Sequence, residues 1–213
     1  REINHVEKNF DETLVIEPWG RDGLRVRSTS EYEVPDTCWA LTEPVESLTD
    51  QSMISIQIND TEATIKNGKI SARITDILTQ KGYIEFFKHT TDGKTSILKE
   101  QDYVIQGYNP GTRIFKPAGN KLHHTEVHFA SRDGERFYGL GLNDTGILDL
   151  KGCTIDLYQR HMKQVVPFLV SSEGYGFLWN NPSLGRVELG RDRTRWVAEG
   201  CRKMDYYITA GES

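Results

Sequence analysis

The chain has 213 residues, of which 37% are hydrophobic and 27% charged, and its formal net charge is -5. A chain of this length and composition can bury a hydrophobic core, which excludes global disorder, and its acidic balance argues against a general nucleic-acid binder. The sequence contains no apolar run of about 18 residues, the length that a membrane-spanning helix needs.

Strand-like runs separated by turn signals follow one another along the chain. "SMISIQI" (52–58) and "KISARIT" (69–75) place apolar residues at every second position, which is the period of a half-buried strand. The polar stretch from Glu43 to Ser52 is expected to form a long loop. The pattern predicts one all-β domain over residues 1–213, an antiparallel sandwich or barrel with little helix. The other β-branched or aromatic runs are "TLVIEPW" at 13–19, "LRVRSTS" at 24–30, "YIEFF" at 83–87, "EVHFAS" at 126–131, "VVPFLVSS" at 165–172, "YGFLWNN" at 175–181, "VELG" at 187–190 and "MDYYITA" at 204–210.

The segment "RFYGLGLNDTGILDLKG", residues 136–152, places glycines after an aromatic run and raises the question of a phosphate-binding loop. A dinucleotide-binding loop needs a third glycine three positions after Gly141, but Asp144 stands there, and its carboxylate would repel a phosphate. Residues 147–151 then alternate apolar and polar side chains, as a strand does. We therefore expect a strand, a turn and a second strand here rather than a phosphate site.

Three residues of "HHTEVHF" could form a metal site. His124, Glu126 and His128 would share one face of a strand, and two imidazoles with a carboxylate are suitable metal ligands. Ligands at every second position of a strand lie about 6.6 Å apart, however, which does not suit a compact site. We therefore expect a polar, solvent-facing strand and no metal.

Several carboxylates lie close together in the sequence, but the sequence does not pair any two of them. A glycosidase needs two carboxyl groups that face each other across the scissile bond. Most of the acidic residues here stand at turn signals, where an Asp bonds its own backbone. A G-x-S-x-G nucleophile motif is missing as well, so no catalytic centre is expected within this chain. The acidic residues considered are Asp133, Glu135, Asp144, Asp149, Asp156 and Glu173.

The segment "WNNPS" (179–183) combines a flat aromatic ring with amides, a combination that also binds sugars. Trp179 follows the apolar run "YGFL", so we expect it in the core rather than against a sugar. Pro182 is expected to end the strand because it cannot donate to a β-ladder, and Asn180 and Asn181 are expected to turn the chain.

Segments in a fixed order along nearly the whole chain resemble one protein family. They are "VIEPWGRDGLRVRSTS" (15–30), "KNGKISARIT" (66–75), "ERFYGLGLNDTGILDLKG" (135–152), "IDLYQRH" (155–161), "PFLVSSEGYGFLWNNPS" (167–183) and "WVAEGCRKMDYYITAG" (196–211). Together they resemble the N-terminal domain of glycoside hydrolase family 31, which contains α-glucosidases and α-xylosidases. The resemblance implies a galactose-mutarotase-like antiparallel β-sandwich.

The resemblance also implies that this chain contains no catalytic residue. In that family the nucleophile and the general acid are aspartates on a following (β/α)8 barrel, the nucleophile in a motif like W-x-D-M-N-E, and this chain has no such motif. We therefore expect a non-catalytic domain of a larger retaining α-glycosidase, with the barrel after residue 213. The implied substrate is an α-linked oligosaccharide or glycoside, the implied partner is the barrel, and no metal or organic cofactor is implied.

The chain begins with Arg rather than Met, so we expect a piece of a longer protein. Its three cysteines are widely spaced, form no C-x-x-C pair and are odd in number, which argues against a disulfide framework. These observations together predict a cytoplasmic protein, although a signal peptide could precede the chain.

One loop is a candidate for substrate contact. In the family, a loop of the sandwich reaches the mouth of the barrel, and the matching segment here is the short "QRHMKQ" (159–164). By that resemblance, Gln159, Arg160 and His161 are predicted to lie near the sugar, and the alternative is a simple exposed turn. A different class of function stays open: a stand-alone carbohydrate-binding module or a mutarotase. A mutarotase would need an acid and a base, for example Glu173 with His124 or His128.

Overall fold

The computed structural model describes residues 12–42, 50–75, 82–104, 111–142 and 146–211. Within them the chain forms sixteen β-strands, which pair antiparallel, and one 3-10 turn at Gln51–Met53, so the prediction of an antiparallel all-β fold is confirmed. Residues 43–49 of the expected long loop lie outside the described residues. The strands are β1 (Thr13–Pro18), β2 (Gly23–Thr29), β3 (Ile54–Ile58), β4 (Ala63–Asn67), β5 (Ile70–Thr75), β6 (Tyr83–Thr90), β7 (Gly93–Lys99), β8 (Arg113–Gly119), β9 (Leu122–Ala130), β10 (Phe137–Leu142), β11 (Thr154–Asp156), β12 (Gln164–Ser171), β13 (Tyr175–Trp179), β14 (Gly185–Leu189), β15 (Arg193–Cys201) and β16 (Met204–Ala210).

The strands form three sheets. The six-stranded sheet has the order β1-β2-β16-β13-β12-β10, so strands from the two ends of the chain lie side by side in it. A second sheet, here called the β9 sheet, has the order β11-β14-β15-β9-β8. The third, here called the β5 sheet, is the continuous meander β3-β4-β5-β6-β7. Because neighbours such as β2 and β16 are far apart in sequence, the sandwich depends on long-range pairing.

Aromatic side chains join the six-stranded sheet to the β9 sheet. The Phe177 ring of β13 lies 5.1 Å from the Tyr206 ring, 4.7 Å from the Trp196 ring and 5.5 Å from the Phe129 ring, measured between centroids. Trp179 packs against Trp196 at 6.0 Å and is only 2% exposed. Rings from both inner faces thus interdigitate to form the core, and the prediction that Trp179 is a core residue is confirmed.

A buried carboxylate marks the place where all three sheets meet. Glu100 follows β7 of the β5 sheet and forms a β-bridge with Phe129 of the β9 sheet. Its side chain accepts the backbone N–H of Ile84 at 2.9 Å, the Tyr206 hydroxyl of the six-stranded sheet at 3.4 Å and a charged hydrogen bond from Arg113. Burial raises the pKa of Glu100, and the Arg113 charge opposes that rise. The polar group is therefore satisfied inside the core, as a buried charge must be.

Two glycines of the segment 136–152 let β10 approach β12. Gly139 and Gly141 have φ of 100° and 85°, and the register of the β10–β12 pair shifts between them. A Cβ on Gly141 would lie 2.1 Å from the carbonyl oxygen of Gln164, so only glycine allows this approach. Between the glycines, Leu140 is also left-handed, with φ of 62°, and its side chain is fully buried. These glycines therefore shape a strand, as expected.

The prediction of a second strand directly after these glycines is wrong for residues 147–151. No strand includes them, and the next strand is β11 at Thr154–Asp156. The alternation of apolar and polar side chains has another cause. Leu150 is buried, and its backbone N–H donates to the Phe137 carbonyl at 2.8 Å, while Leu148 is 80% exposed. A turn with one buried side chain produces the same short pattern as a strand.

We predict that Trp179→Ala lowers the free energy of unfolding by about 3–5 kcal/mol, because it removes a buried ring and leaves a cavity. Chemical denaturation followed by far-ultraviolet circular dichroism measures this. Trp39→Ala is the matched control, since Trp39 is 59% exposed and its loss should cost less than about 1 kcal/mol. Equal losses in the two variants would contradict the packing described here.

We also predict that Gly141→Ala destabilises the chain more than Gly146→Ala. Both positions have a positive φ, so each alanine costs about 1–2 kcal/mol from backbone strain. Only the methyl at 141 also meets backbone atoms, whereas a Cβ at Gly146 has nothing within 4 Å. The same denaturation assay compares them, and an equal loss of stability would show that β10 can move away from β12 at no cost.

Candidate functional site

The predicted loop Gln159–His161 lies in the connection between β11 and β12 and is a tight turn. Arg160 and Lys163 form an isolated β-bridge, and the Lys163 N–H donates to the Arg160 carbonyl at 3.1 Å. Met162 closes the turn with φ of 61°, and its side chain is 82% exposed. The turn therefore presents the side chains of residues 160–162 at its tip.

The Gln159 side chain is used by the turn itself. Its amide nitrogen donates to the Val165 carbonyl at 3.3 Å, and its amide oxygen accepts the Val165 N–H at 3.2 Å. This pair of bonds imitates the pairing of a β-strand, so Gln159 holds the start of β12 in place. Gln159 therefore uses both polar groups of its side-chain amide within the turn.

Arg160 and His161, unlike Gln159, have side-chain donor groups that another molecule can still reach. The Arg160 guanidinium forms an ion pair with Asp156 and lies 4.5 Å above the centroid of the Tyr158 ring. These contacts orient a cation that stays about half exposed, with 49% of its side chain accessible. His161 is exposed at the tip of the turn. The turn can therefore offer a positioned guanidinium and an imidazole to a molecule that approaches it.

The residues weighed as a metal site do come together, but as a hydrogen-bond network around Glu126. That carboxylate accepts from His124 Nε2 at 2.7 Å, His128 Nε2 at 3.3 Å, Arg195 Nε at 2.8 Å and Lys116 Nζ at 3.0 Å. Burial raises the pKa of Glu126, but the hydrogen bonds from His128, Arg195, Lys116 and His124 outweigh it and hold the pKa well below its usual range.

The network does not offer ligands to a metal. Each ring nitrogen beside Glu126 donates to the carboxylate, so it presents a hydrogen rather than a lone pair. Within the described residues, no three His, Cys, Asp or Glu side chains are arranged to hold a metal ion. The expectation of a solvent-facing strand is wrong for Glu126 and His128, which are 1% and 0% exposed. The His128 ring stacks on the Tyr103 ring at 4.8 Å. We attribute its burial to this ring, which covers the outer face of β9.

The acid and base considered for a mutarotase have different partners. Glu173, in the turn between β12 and β13, accepts a hydrogen bond from Arg132 at 2.8 Å. His124 and His128 both contact Glu126 instead, and His124 also contacts Glu199 at 2.7 Å. The arrangement seen in the described residues is therefore structural and does not pair a histidine with Glu173.

The carboxylates near the glycine-rich segment mostly serve the fold. Glu135 is buried and accepts from the hydroxyls of Ser171 at 2.6 Å and Tyr175 at 2.8 Å. Asp149 accepts the backbone N–H groups of Phe137 and Lys151, both at 3.1 Å. The remaining candidates are the ion-paired Asp156 and Glu173, the exposed Asp133, and Asp144, which lies outside the described residues.

A buried polar cluster that sequence reasoning missed fixes one end of the six-stranded sheet. Arg25 donates two hydrogen bonds to Asp205, at 3.1 and 2.7 Å, and Asn180 donates to the same carboxylate at 2.9 Å. Asn180 and Asn181 therefore bind β16, by the side chain and the backbone of Asp205, rather than merely turning the chain. The single signal for this cluster was Asp205, a lone acidic residue inside the aromatic run "MDYYITA".

The same cluster holds a segment that we call the strap, residues 35–42. The Ala40 N–H donates to the Asn180 side chain at 2.9 Å, and Lys203 Nζ donates to the Pro35 carbonyl at 2.7 Å. The Trp19 indole N–H donates to the Thr42 carbonyl at 3.1 Å. The strap therefore covers the outer face of the six-stranded sheet at the end formed by β1, β2 and β16.

The three cysteines are free thiols. Burial raises the pKa of the Cys201 thiol to about 11, so this thiol is a packing group rather than a nucleophile. Among the described residues, no helix has the length and apolar character of a membrane-crossing segment.

Comparison with known proteins agrees with the fold and its motifs. Residues 13–188 match the model of the glycosyl hydrolase 31 N-terminal galactose mutarotase-like domain. The chain is 35% identical to a family 31 glucosidase of Pseudescherichia vulneris, over 99% of this chain and 41% of that protein. It is 29% identical to alpha-xylosidase A of Aspergillus niger, over 94% of this chain and 28% of that protein.

Solved structures show the same similarity in three dimensions. A family 31 alpha-xylosidase from a soil metagenome, in complex with xylose, superposes with a TM-score of 0.82 at 32% identity, over 96% of this chain and 31% of that chain. A xylosidase from Aspergillus niger gives a TM-score of 0.74 at 25% identity, over 95% of this chain and 29% of that chain. The chain thus spans less than half the length of these relatives. It belongs to the family of glycosyl hydrolase 31 N-terminal galactose mutarotase-like domains.

Proposed function

We propose that this chain is the N-terminal, non-catalytic domain of a retaining α-glycosidase that removes terminal α-linked xylose or glucose. The observation that carries the proposal is the family match over residues 13–188 in a chain that spans only 41% of its glucosidase relative. The relatives that align with it include proteins described as alpha-xylosidases. Residues 1–213 form the sandwich domain, and a catalytic (β/α)8 barrel follows it.

Four buried carboxylates among the described residues support a non-catalytic role. A retaining glycosidase needs a nucleophile and an acid about 5–5.5 Å apart, facing an open cleft. Glu100, Glu126, Glu135 and Asp205 are instead at most 3% exposed and are bonded to protein groups. In the proposed enzyme, two aspartates of the barrel form and hydrolyse a covalent glycosyl-enzyme intermediate, and this domain supplies neither of them.

The turn at Gln159–His161 is the proposed contribution of this domain to the substrate pocket. Gln159 fixes the start of β12, while Arg160 and His161 extend from the turn with donor groups that suit sugar hydroxyls or a neighbouring carboxylate. Asp156 and Tyr158 hold the Arg160 guanidinium in one orientation before anything binds. A group that is already ordered loses less conformational entropy on contact, which favours a role in positioning.

We predict that the 213-residue chain does not hydrolyse p-nitrophenyl α-xyloside or α-glucoside, whereas the full-length protein hydrolyses at least one of them. The physical reason is that the catalytic carboxylates lie outside this chain. Release of p-nitrophenol measures the activity, and circular dichroism verifies that the isolated chain is folded. A reading frame without a downstream barrel would favour the alternative of a stand-alone sugar-binding or mutarotase module. Turnover by the isolated chain that disappears in Glu173→Gln would overturn the proposal.

We predict that Arg160→Ala and His161→Ala, in the full-length enzyme, each lower kcat/KM by about threefold to a hundredfold. The range follows from the loss of one hydrogen bond to a neutral sugar or to a charged partner. The size of the loss should depend on the sugar or aglycone at the +1 position. Arg191→Ala is the control, because Arg191 is an exposed arginine of another turn. If both variants keep wild-type kcat/KM on every α-glycoside tested, residues 160 and 161 only form a turn.

A further inference from the structure

An exposed apolar surface is concentrated in one short part of the chain. Within the described residues, six of the fourteen exposed large hydrophobic side chains lie between positions 142 and 170. The strands β10 (Phe137–Leu142) and β12 (Gln164–Ser171) carry no charged residue, although 27% of the whole chain is charged. Apolar patches of this kind on a soluble domain usually mark a contact surface. The six side chains are Leu142, Ile147, Leu148, Met162, Val166 and Val170.

The strand register brings three of these side chains to one face. Val166 and Val170 lie on β12 at even positions, and Leu142 of β10 is paired with Gln164, which has the same parity. Leu169, at an odd position, points into the core and is 2% exposed. The even positions of β12 therefore lie on the outer face of the six-stranded sheet, where Leu142, Val166 and Val170 are 61%, 52% and 44% exposed. We call this surface the β10–β12 outer face.

The opposite end of the same sheet face is covered by the protein's own chain. There the strap and Trp19 lie over the outer face, and the outward side chains Arg25 and Asp205 are 2% and 0% exposed. β10 is also the terminal strand of the sheet among the described strands. Asp149 and Leu150 bond to its edge at Phe137, while Leu142 at its other end is exposed. An apolar strand at a sheet edge is a liability unless something covers it.

We propose that the β10–β12 outer face is the surface by which this domain docks onto the catalytic part of the same full-length protein. This inference rests on the proposed function. The relatives contain the sandwich as only 28–41% of their length, so the remainder is large enough to cover such a surface. The face is continuous with the turn at Arg160, His161 and Lys163, because β12 begins at Gln164, directly after it.

Charge gives the docked domain an orientation. The turn next to the face carries Arg160, which is paired with Asp156, together with His161 and Lys163, whereas the two strands of the face carry no charged residue. A retaining glycosidase carries at least two carboxyl groups at its active site. Docking the apolar face against the barrel therefore places the basic turn where carboxylates are available, toward the mouth of the active site. The partner is then an apolar surface of the barrel that is bordered by acidic groups.

Thiol labelling in the full-length protein tests the proposal without relying on catalysis. Val166→Cys and Val170→Cys place probes on the face, and Thr91→Cys is the control, since Thr91 is an exposed polar residue of the turn between β6 and β7. N-ethylmaleimide labelling is followed at each site by mass spectrometry of the peptide, so that the native cysteines do not interfere. The two face probes should react at least about tenfold more slowly than the control, because the docked barrel must move away before they react.

A charge on the face should reverse that protection. In the Val166→Cys protein, adding Val170→Asp should accelerate labelling at position 166 at least about tenfold, while adding Ile56→Asp should not change it. Labelling of both face probes at the rate of the control would overturn the proposal, even in a fully active enzyme. Protection that disappears on dilution would also overturn it, because a second copy would then cover the face.

The same experiment separates this proposal from the proposed function. A protected face in a protein without α-glycosidase activity would support the docking surface and contradict the assigned activity. A reactive face in an active enzyme would contradict the docking surface alone. A reading frame without a further domain would contradict both.

Discussion

The structure depends on one buried carboxylate that touches all three sheets. Glu100 directly follows β7, bridges to Phe129 of the β9 sheet and accepts a hydrogen bond from the Tyr206 hydroxyl of the six-stranded sheet. Its charge is balanced by Arg113, and a buried charge is tolerated only when its partners are all in place. The sheets can therefore not shift against one another without leaving an unpaired charge in the core. The aromatic packing of the sandwich is more tolerant, because dispersion contacts have no fixed direction.

The two ends of the six-stranded sheet, away from Glu100, differ in how their outer faces are covered. At one end, Asp205 holds Arg25 and Asn180, and Asn180 in turn fixes the strap over the outer face. At the other end, the glycines of β10 bring this strand close to β12 and leave an uncharged outer face open. The domain is thus covered by its own chain at one end of this face, and the other end is the surface that we propose as the docking face.

The sequence patterns predicted the class of the fold because alternation along a strand reports which side chains face the core. "KISARIT" became a strand for that reason, with Ile70 and Ala72 in the core. "SMISIQI" also became a strand, but its Ile56 and Ile58 are exposed. Residues 147–151 show its limit, since a turn with one buried leucine alternates in the same way. The pairing of Arg25 with Asp205 could not be predicted, because 180 residues separate them and no local pattern encodes such a contact. The position of the turn at Gln159–His161 followed from the order of the family motifs, but the use of the Gln159 amide as a substitute strand did not.

The turn and the β10–β12 outer face are mechanically one unit. Gln159 bonds to the backbone of Val165, and Val165 is paired with Gly141, so the turn, β12 and β10 are linked through successive hydrogen-bonded neighbours. A slip of one residue in this pairing would exchange the inner and outer faces of β12, burying Val166 and exposing Leu169. It would also move Arg160 and His161 away from any site that they reach. The close approach at Gly141 therefore fixes both the surface that we propose as the docking face and the residues that extend beyond it. In the proposed enzyme, a domain without catalytic residues would in this way still help to position the substrate.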